Sequence, residues 1–254
     1  MQWLRRFRWG IIAVSICTIS SSPLAAGTGD KKDASKTSAS AEIDSGSFSV
    51  IVHGQRVMTE TFSIRQDNGV STVKSLVQDA GSSPGINQKS ELQMTGNGEI
   101  IRYDWTDGHG SLVVTPKDEF LLEKITSSPS AKAAEQPFLM PNTSAILDNN
   151  FFIQREVLAW RYLATNCHTD GSNLKCQQGP VEFGALVPQD RTSIRVRLEL
   201  TGREKVSVHD AERELLRLNL KGESFSWILW VDDKDHFKVL RVDIPEDNTQ
   251  VVRN

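Results

Sequence analysis

The chain has 254 residues, 38% hydrophobic and 24% charged, which is enough apolar material for a substantial core and excludes wholesale disorder. A formal net charge of -3 gives no basic footprint, so no nucleic-acid partner is expected.

The most specific signal is N-terminal. Trp3-Leu4-Arg5-Arg6-Phe7-Arg8 supplies positive charge, Trp9 to Ile19 an apolar stretch too short for a comfortable membrane span, and Ser20 to Gly27 the small residues of a cleavage site. Residues 1–27 read as a bacterial secretory signal peptide cut near Ala26 or Gly27, which places the mature protein in the periplasm or outside the cell. Membrane contact is expected only through this segment where it stays uncleaved. Arg5-Arg6 lacks the residues that follow a twin-arginine pair, and Cys17 leaves with the apolar stretch. Thr28 to Ser45 is Gly, Asp, Lys, Ser, Thr and Ala with almost nothing apolar, a disordered linker before a single domain over 46–254.

The first half of that domain reads as strands separated by turns. Phe48, Val50 and Val52 alternate with polar residues, and Gly54-Gln55-Arg56 turns into Met58, Phe62 and Ile64. Asp67-Asn68-Gly69 is a hairpin signal, since Asn and Gly accept the left-handed backbone of a tight turn, and it returns the chain antiparallel through Val70 to Gln78. A Gly and Ser loop over 81–85 leads to Leu92 and Met94. Gly96-Asn97-Gly98, Asp107-Gly108-His109-Gly110 and Pro116-Lys117-Asp118 then punctuate strands carrying Ile101, Tyr103 and Trp105, Leu112 and Val114, and Phe120 to Ile125. This spacing is that of a meander. Ser127 to Pro137 is a connection, and Phe138 to Pro141 leads back to the sheet.

Leu147 to Ala164, LDNNFFIQREVLAWRYLA, is the one long helical pattern. Leu147, Phe151, Leu158 and Tyr162 recur at the spacing of a buried face, and Asp148 is placed to cap the first amides. Cys167 and Cys176 follow, a pair that an oxidising compartment joins in a disulfide. Metal binding by the pair with His168 is the competing reading, but no second ligand pair lies at zinc spacing.

The second half is the clearest β-sequence. Ile194, Val196, Leu198 and Leu200 alternate against polar residues, Gly202-Arg203 turns the chain, and Val206 and Val208 continue. Asp210 to Leu216 reads as strand or as a helical turn before Leu218 and Leu220. Phe225, Trp227, Leu229 and Val231 form a strand with Ile228 and Trp230 on its reverse face. Asp232-Asp233-Lys234-Asp235 is a polar turn into Phe237 to Ile244, and Thr249 to Arg253 closes the chain.

The expected fold class is α+β and mainly antiparallel β: a strongly curved meander sheet, a half-barrel, packed around one long helix. No catalytic residue, cofactor or metal is assigned. His53, His109, His209 and His236 each stand alone, Ser111 lacks the glycines of a nucleophile elbow, and Asp232, Asp233 and Asp235 lack the Gly and distal Glu of a calcium loop. Asn142-Thr143-Ser144 fits a glycosylation acceptor, which bacterial export makes irrelevant. The functional lead is apolar: Trp105, Phe151, Phe152, Trp160, Phe183, Trp227 and Trp230 are large side chains in or beside the helix and strands. They are candidates for lining a ligand pocket in the concave face of the sheet as well as ordinary core.

The order of elements, with LDNNFFIQREVLAWRYLA, FGALVPQD and the closing strands FSWILWVDDKDHFKVLRVDIP, resembles the exported bacterial domains of unknown function of the DUF3108 group. Their sheet is similar to the half-barrel of the lipoprotein carriers LolA and LolB. The resemblance covers roughly 46–253 and implies the curved sheet. No functional residue of the carriers matches a position here, so it implies no carrier activity. Two readings result: an exported, non-enzymatic protein holding a lipid-like or apolar ligand in the concavity, or a module that engages an envelope protein and takes no small molecule.

Overall fold

The computed structural model describes residues 40–81, 87–170, 173–209 and 211–254. Residues 1–39, with the expected signal peptide and most of the expected linker, lie outside the described residues, as do parts of the loop over 81–85, Gly171, Ser172 and Asp210.

The alternating sequence of the first half folds as eight strands: β1 (Ala41–Val52), β2 (Gln55–Asp67), β3 (Val70–Asp79), β4 (Gln88–Thr95), β5 (Ile100–Thr106), β6 (Ser111–Lys117), β7 (Phe120–Thr126) and β8 (Ala134–Phe138). A short strand β9 (Ala145–Ile146), the helix α1 (Ile153–Asn166) and a small hairpin of β10 (Cys167–Asp170) and β11 (Asn173–Cys176) come next. The second meander comprises β12 (Val181–Val187), β13 (Thr192–Val208), β14 (Ala211–Lys221), β15 (Ser226–Asp232), β16 (Lys238–Ile244) and β17 (Thr249–Arg253).

Fifteen strands form one sheet in the order β8-β7-β6-β5-β4-β3-β2-β1-β17-β16-β15-β14-β13-β12-β9. Its two meanders meet where the first strand pairs with the last, from Phe48 opposite Arg253 to Val52 opposite Thr249. Every pairing is antiparallel except that of β9 with β12. The Asp67-Asn68-Gly69 turn forms as the sequence implies, with Asn68 at φ 47° and Gly69 at φ 81°.

Successive strand residues point to opposite faces, and burial follows that period. Along β4, Gln88, Ser90, Leu92 and Met94 are buried while their neighbours are more exposed. The inward residues of β1 to β7 and β12 to β17 join the apolar side of α1 in one core that includes Phe48, Ile64, Leu92, Tyr103, Leu158, Tyr162, Leu198, Leu218, Leu229 and Val242. A small cluster of Val206, Val208, Leu215, Trp230 and Leu240 is built on the other face.

The helix is shorter than its sequence pattern. It begins at Ile153, and Asp148 is not its cap: the N-cap position is Phe152, with no side-chain cap of its own. The amides of Phe152 and Ile153 instead donate to the carboxylate of Glu60 on β2, at 2.6 and 3.3 Å to Oε2. Asp148 is buried and consumed elsewhere, accepting from the Tyr103 hydroxyl at 2.6 Å and the Gln189 amide at 3.1 Å. The buried helix residues Ile153, Gln154, Arg155, Glu156, Leu158, Ala159, Tyr162 and Leu163 occupy more than one stripe, so α1 is covered on most of its circumference.

Strands far apart in the sheet are joined by side chains. Asp148 links β5 to the turn after β12. Arg191, between β12 and β13, lies 3.4 Å from Glu123 of β7 and accepts through its carbonyl from Gln136 of β8 at 3.5 Å.

Other boundaries differ from the sequence reading for identifiable reasons. β1 starts inside the expected linker, at Ala41, because Asp44 is buried and paired with Arg253 at 2.6 Å. Gly202-Arg203 does not turn the chain: β13 runs on through a bulge between Leu200 and Gly202, whose φ of 149° suits glycine. Ala211 to Leu216 is strand, and Ala134 to Pro137 belongs to β8 rather than to a loop. Cys167 and Cys176 are directly opposite across the β10–β11 hairpin and form a disulfide.

Candidate functional site

Between α1 and the sheet lies a partly open cavity of about 70 Å³. Its floor is aliphatic: Ile43 of β1, Ile64 of β2, Val73 of β3, Leu92 and Met94 of β4, and Ile100 of β5. The β4–β5 turn contributes Gly96 and Gly98, and Ser144, Ala145 and Ile146 close one side. From the helix come Gln154, Val157, Leu158 and Arg161, spaced as a single face, together with Trp160. Water-sized groups each need about 10–15 Å³ by this measure, so the cavity holds about five. That corresponds to a short run of slim chain.

Two open grooves are also present, of which the second adjoins the cavity. One, of about 610 Å³, crosses β2 to β6 and includes Trp105, Lys74 and Glu91. The other, of about 630 Å³, lies between Leu139 to Ser144, β12 and the start of β13. Ser144 and Arg161 border both this groove and the cavity.

The structure does not gather the seven aromatic candidates into one pocket. Trp160 lines the cavity and is held by its indole N–H donating to the Phe237 carbonyl at 2.7 Å. Phe183 lines the groove beside Arg161, whose guanidinium carbon sits 5.5 Å from the ring centre. Trp105 borders the groove across β2 to β6, its indole N–H directed at Gln88 Oε1 at 3.4 Å. Phe152 and Trp227 lie together at the start of the helix, 6.3 Å between centres, with the Arg155 guanidinium 5.5 and 5.0 Å from the two rings. Phe151 is fully buried beside them in sequence, its carbonyl accepting from Arg155 at 2.8 Å. Trp230 faces away from the main core, bonded to Asp243 at 2.9 Å and placed under Arg217. Strand alternation separates it from Leu229 and Trp227, so it cannot share their pocket.

The buried charges around α1 are structural. Burial pushes the Glu60 carboxyl up to about 7, against the opposing hydrogen bonds of Ser75, Phe152 and Ile153 and the charge of Arg155. Burial likewise raises Asp148, opposed by its Tyr103 bond, and raises Glu156 well above the usual carboxylate range despite Arg253. Arg155 is pushed down to about 10 by burial, with Glu60 opposing, and donates to the carbonyls of Asp148 and Phe151. Glu156 accepts from the Val239 amide at 2.7 Å and from Arg253 at 2.8 Å. These carboxylates already serve amides, a hydroxyl and guanidinium groups, so none is poised as a base toward the cavity.

Among the described residues no group of three His, Cys, Asp or Glu could hold a metal ion. The acids at the end of β15 and just beyond it are each engaged by a different cation: Asp232 lies 3.4 Å from Arg213, Asp233 binds Arg203, and Asp235 lies 3.1 Å from Lys238. His109 is a turn residue whose amide donates to Asp107 at 2.9 Å.

The aromatic candidates are legible in the sequence, whereas the aliphatic lining and Arg161 are not part of that expectation. One signal was available: Gln154, Val157, Leu158 and Arg161 fall on one helical face, and a charge on an otherwise apolar stripe marks a boundary. Comparison with protein-family models, with curated proteins and with solved structures finds no match to this chain.

Proposed function

We propose that this is an exported, non-enzymatic protein that holds the apolar chain of a lipid-like molecule between α1 and a half-barrel of sheet. The observation that carries the reading is the aliphatic cavity of about 70 Å³ opening beside the helix. At that size it takes a stretch of chain rather than a bulky ring system, since ordinary small-molecule pockets are about 300–1,000 Å³.

The half-barrel is supported by distances along the sheet. β5 and β12 are ten strand positions apart, about 48 Å if the sheet were flat, yet both neighbourhoods bond to the one carboxylate of Asp148. A sheet curled around the helix accounts for that contact. Export rests on the N-terminal sequence, where charge, apolar stretch and small residues occur in signal-peptide order. A disulfide between Cys167 and Cys176 suits an oxidising compartment.

Protein purified from the periplasm of its own host tests the reading by native mass spectrometry. The expected spectrum carries an adduct that organic extraction removes and that contains an alkyl chain. A protein recovered only at its bare mass, with added short-chain amphiphiles also failing to bind, contradicts it.

The second reading, docking of an envelope protein, is favoured by one feature. β8 is a sheet edge, and Leu139 just beyond it is 77% exposed. Crosslinking from position 139 in cells distinguishes this reading, since it requires a protein adduct and no lipid.

A further inference from the structure

Among the described residues, Arg161 is the one that lines the cavity with a formal charge. It is half-buried, and burial alone lowers its pKa, with no neighbouring carboxylate acting on it. Among the described residues its guanidinium forms no ion pair and no hydrogen bond, and its recorded partner is the face of the Phe183 ring. Contact with a ring leaves the N–H edge of the guanidinium unused.

Arg155, nearly two helical turns earlier, shows what a structural buried arginine looks like in this fold. Its N–H groups meet two carbonyls and its plane meets two aromatic rings. Arg161 lacks such partners, although withholding a cation from water without hydrogen bonds is unfavourable. A second donor borders the same two spaces. Ser144 is buried, borders the cavity and the groove as Arg161 does, and its hydroxyl engages no other described residue. The neck between apolar cavity and open groove therefore presents two unused donors. The groove's own carboxylates do not reach them: Glu182 is paired with Arg195 and Arg197, and Glu223 forms no ion pair with Arg161.

We propose that this neck is an anion site, and that the ligand is a single-chain anionic amphiphile whose carboxylate or phosphate group sits on Arg161 and Ser144 while its chain enters the cavity. The proposal rests on the apolar-chain reading and adds the chemistry of the head group. A planar guanidinium donates two parallel N–H bonds to either anion, which fixes the direction in which the chain enters.

Calorimetric titration of the purified protein with octanoate, octyl phosphate, octyl glucoside and acetate tests it. Octanoate or octyl phosphate should bind, octyl glucoside should bind more weakly, and acetate should not compete at equal concentration. Arg161→Gln should weaken the anionic octyl ligand by about tenfold or more and change octyl glucoside less than twofold. Binding of the anionic ligand should also fall with added salt in the unmodified protein, a measurement that needs no variant. Leu92→Trp, which fills the cavity floor, should weaken every octyl ligand.

Equal anionic binding in Arg161→Gln, with no salt dependence, overturns the head-group site and leaves the apolar reading standing. Acetate or inorganic phosphate binding as tightly as the octyl anion shows a free small-anion site and overturns the amphiphile. Failure of every octyl ligand to bind, octyl glucoside included, overturns the apolar reading itself.

Discussion

Glu60 does from a distant strand what a capping side chain normally does from the helix's own N-terminus. Its carboxylate receives the first helical amides and the Ser75 hydroxyl at 2.7 Å, with no exposure to water. The cost of burial raises its pKa from 4.5 to about 7, and burial against only Arg191 raises Glu123 similarly, to about 7. An acid whose folded pKa is raised binds its proton more tightly when folded. Stability from these groups is therefore complete below about pH 4.5 and is lost as pH rises through about 7. Urea denaturation should give a higher midpoint at pH 5 than at pH 8. Glu60→Gln keeps an amide oxygen for the helix amides and should reduce that difference; an unchanged difference contradicts the assignment. Nothing local in the sequence marks Glu60, because a carboxylate on a strand reads as solvent-facing. Its role becomes visible only when β2 and α1 are brought together across 92 residues.

Among the elements, the strands were legible where alternation and turn chemistry agree. Asn68-Gly69 and the run from Ile194 to Leu200 fixed their strands because side-chain period and backbone preference point the same way. The helix was legible as an element but not at its start. Leu147 carries the right spacing, yet its amide bonds to Leu186 and Asp148 is taken by Tyr103 and Gln189, so tertiary contacts outbid the local cap. Gly202 was misleading for a simpler reason: a glycine in a strand marks a bulge as readily as a turn. The candidate site was the least legible part, since its lining comes from six strands whose convergence no local pattern records. The β10–β11 hairpin forms its own two-stranded sheet, held across by the disulfide. Isolated hairpins are marginal in water, so Cys167→Ser with Cys176→Ser should open it locally. Hydrogen exchange should quicken at residues 167–170 and 173–176 and stay unchanged in β13 to β16; equal loss of protection in both places contradicts this.

For the molecule as a whole, the decisive junction is where the first and last strands meet. Arg253 on the last strand binds Asp44 on the first at 2.6 Å and Glu156 of the helix at 2.8 Å, all three buried. Removing the cation leaves two buried carboxylates facing one another, and Arg253→Met should cost about 3–5 kcal/mol. A loss below about 1 kcal/mol in chemical denaturation contradicts this role. With both meanders fastened there and the helix lodged against them, the sheet has space left beside α1 for a slim apolar chain. Anomalous diffraction from crystals grown with 8-bromooctanoate tests that claim most directly. A bromine peak among Ile64, Leu92 and Val157 is the predicted result, and bromine bound only elsewhere, with the cavity unchanged, would contradict it.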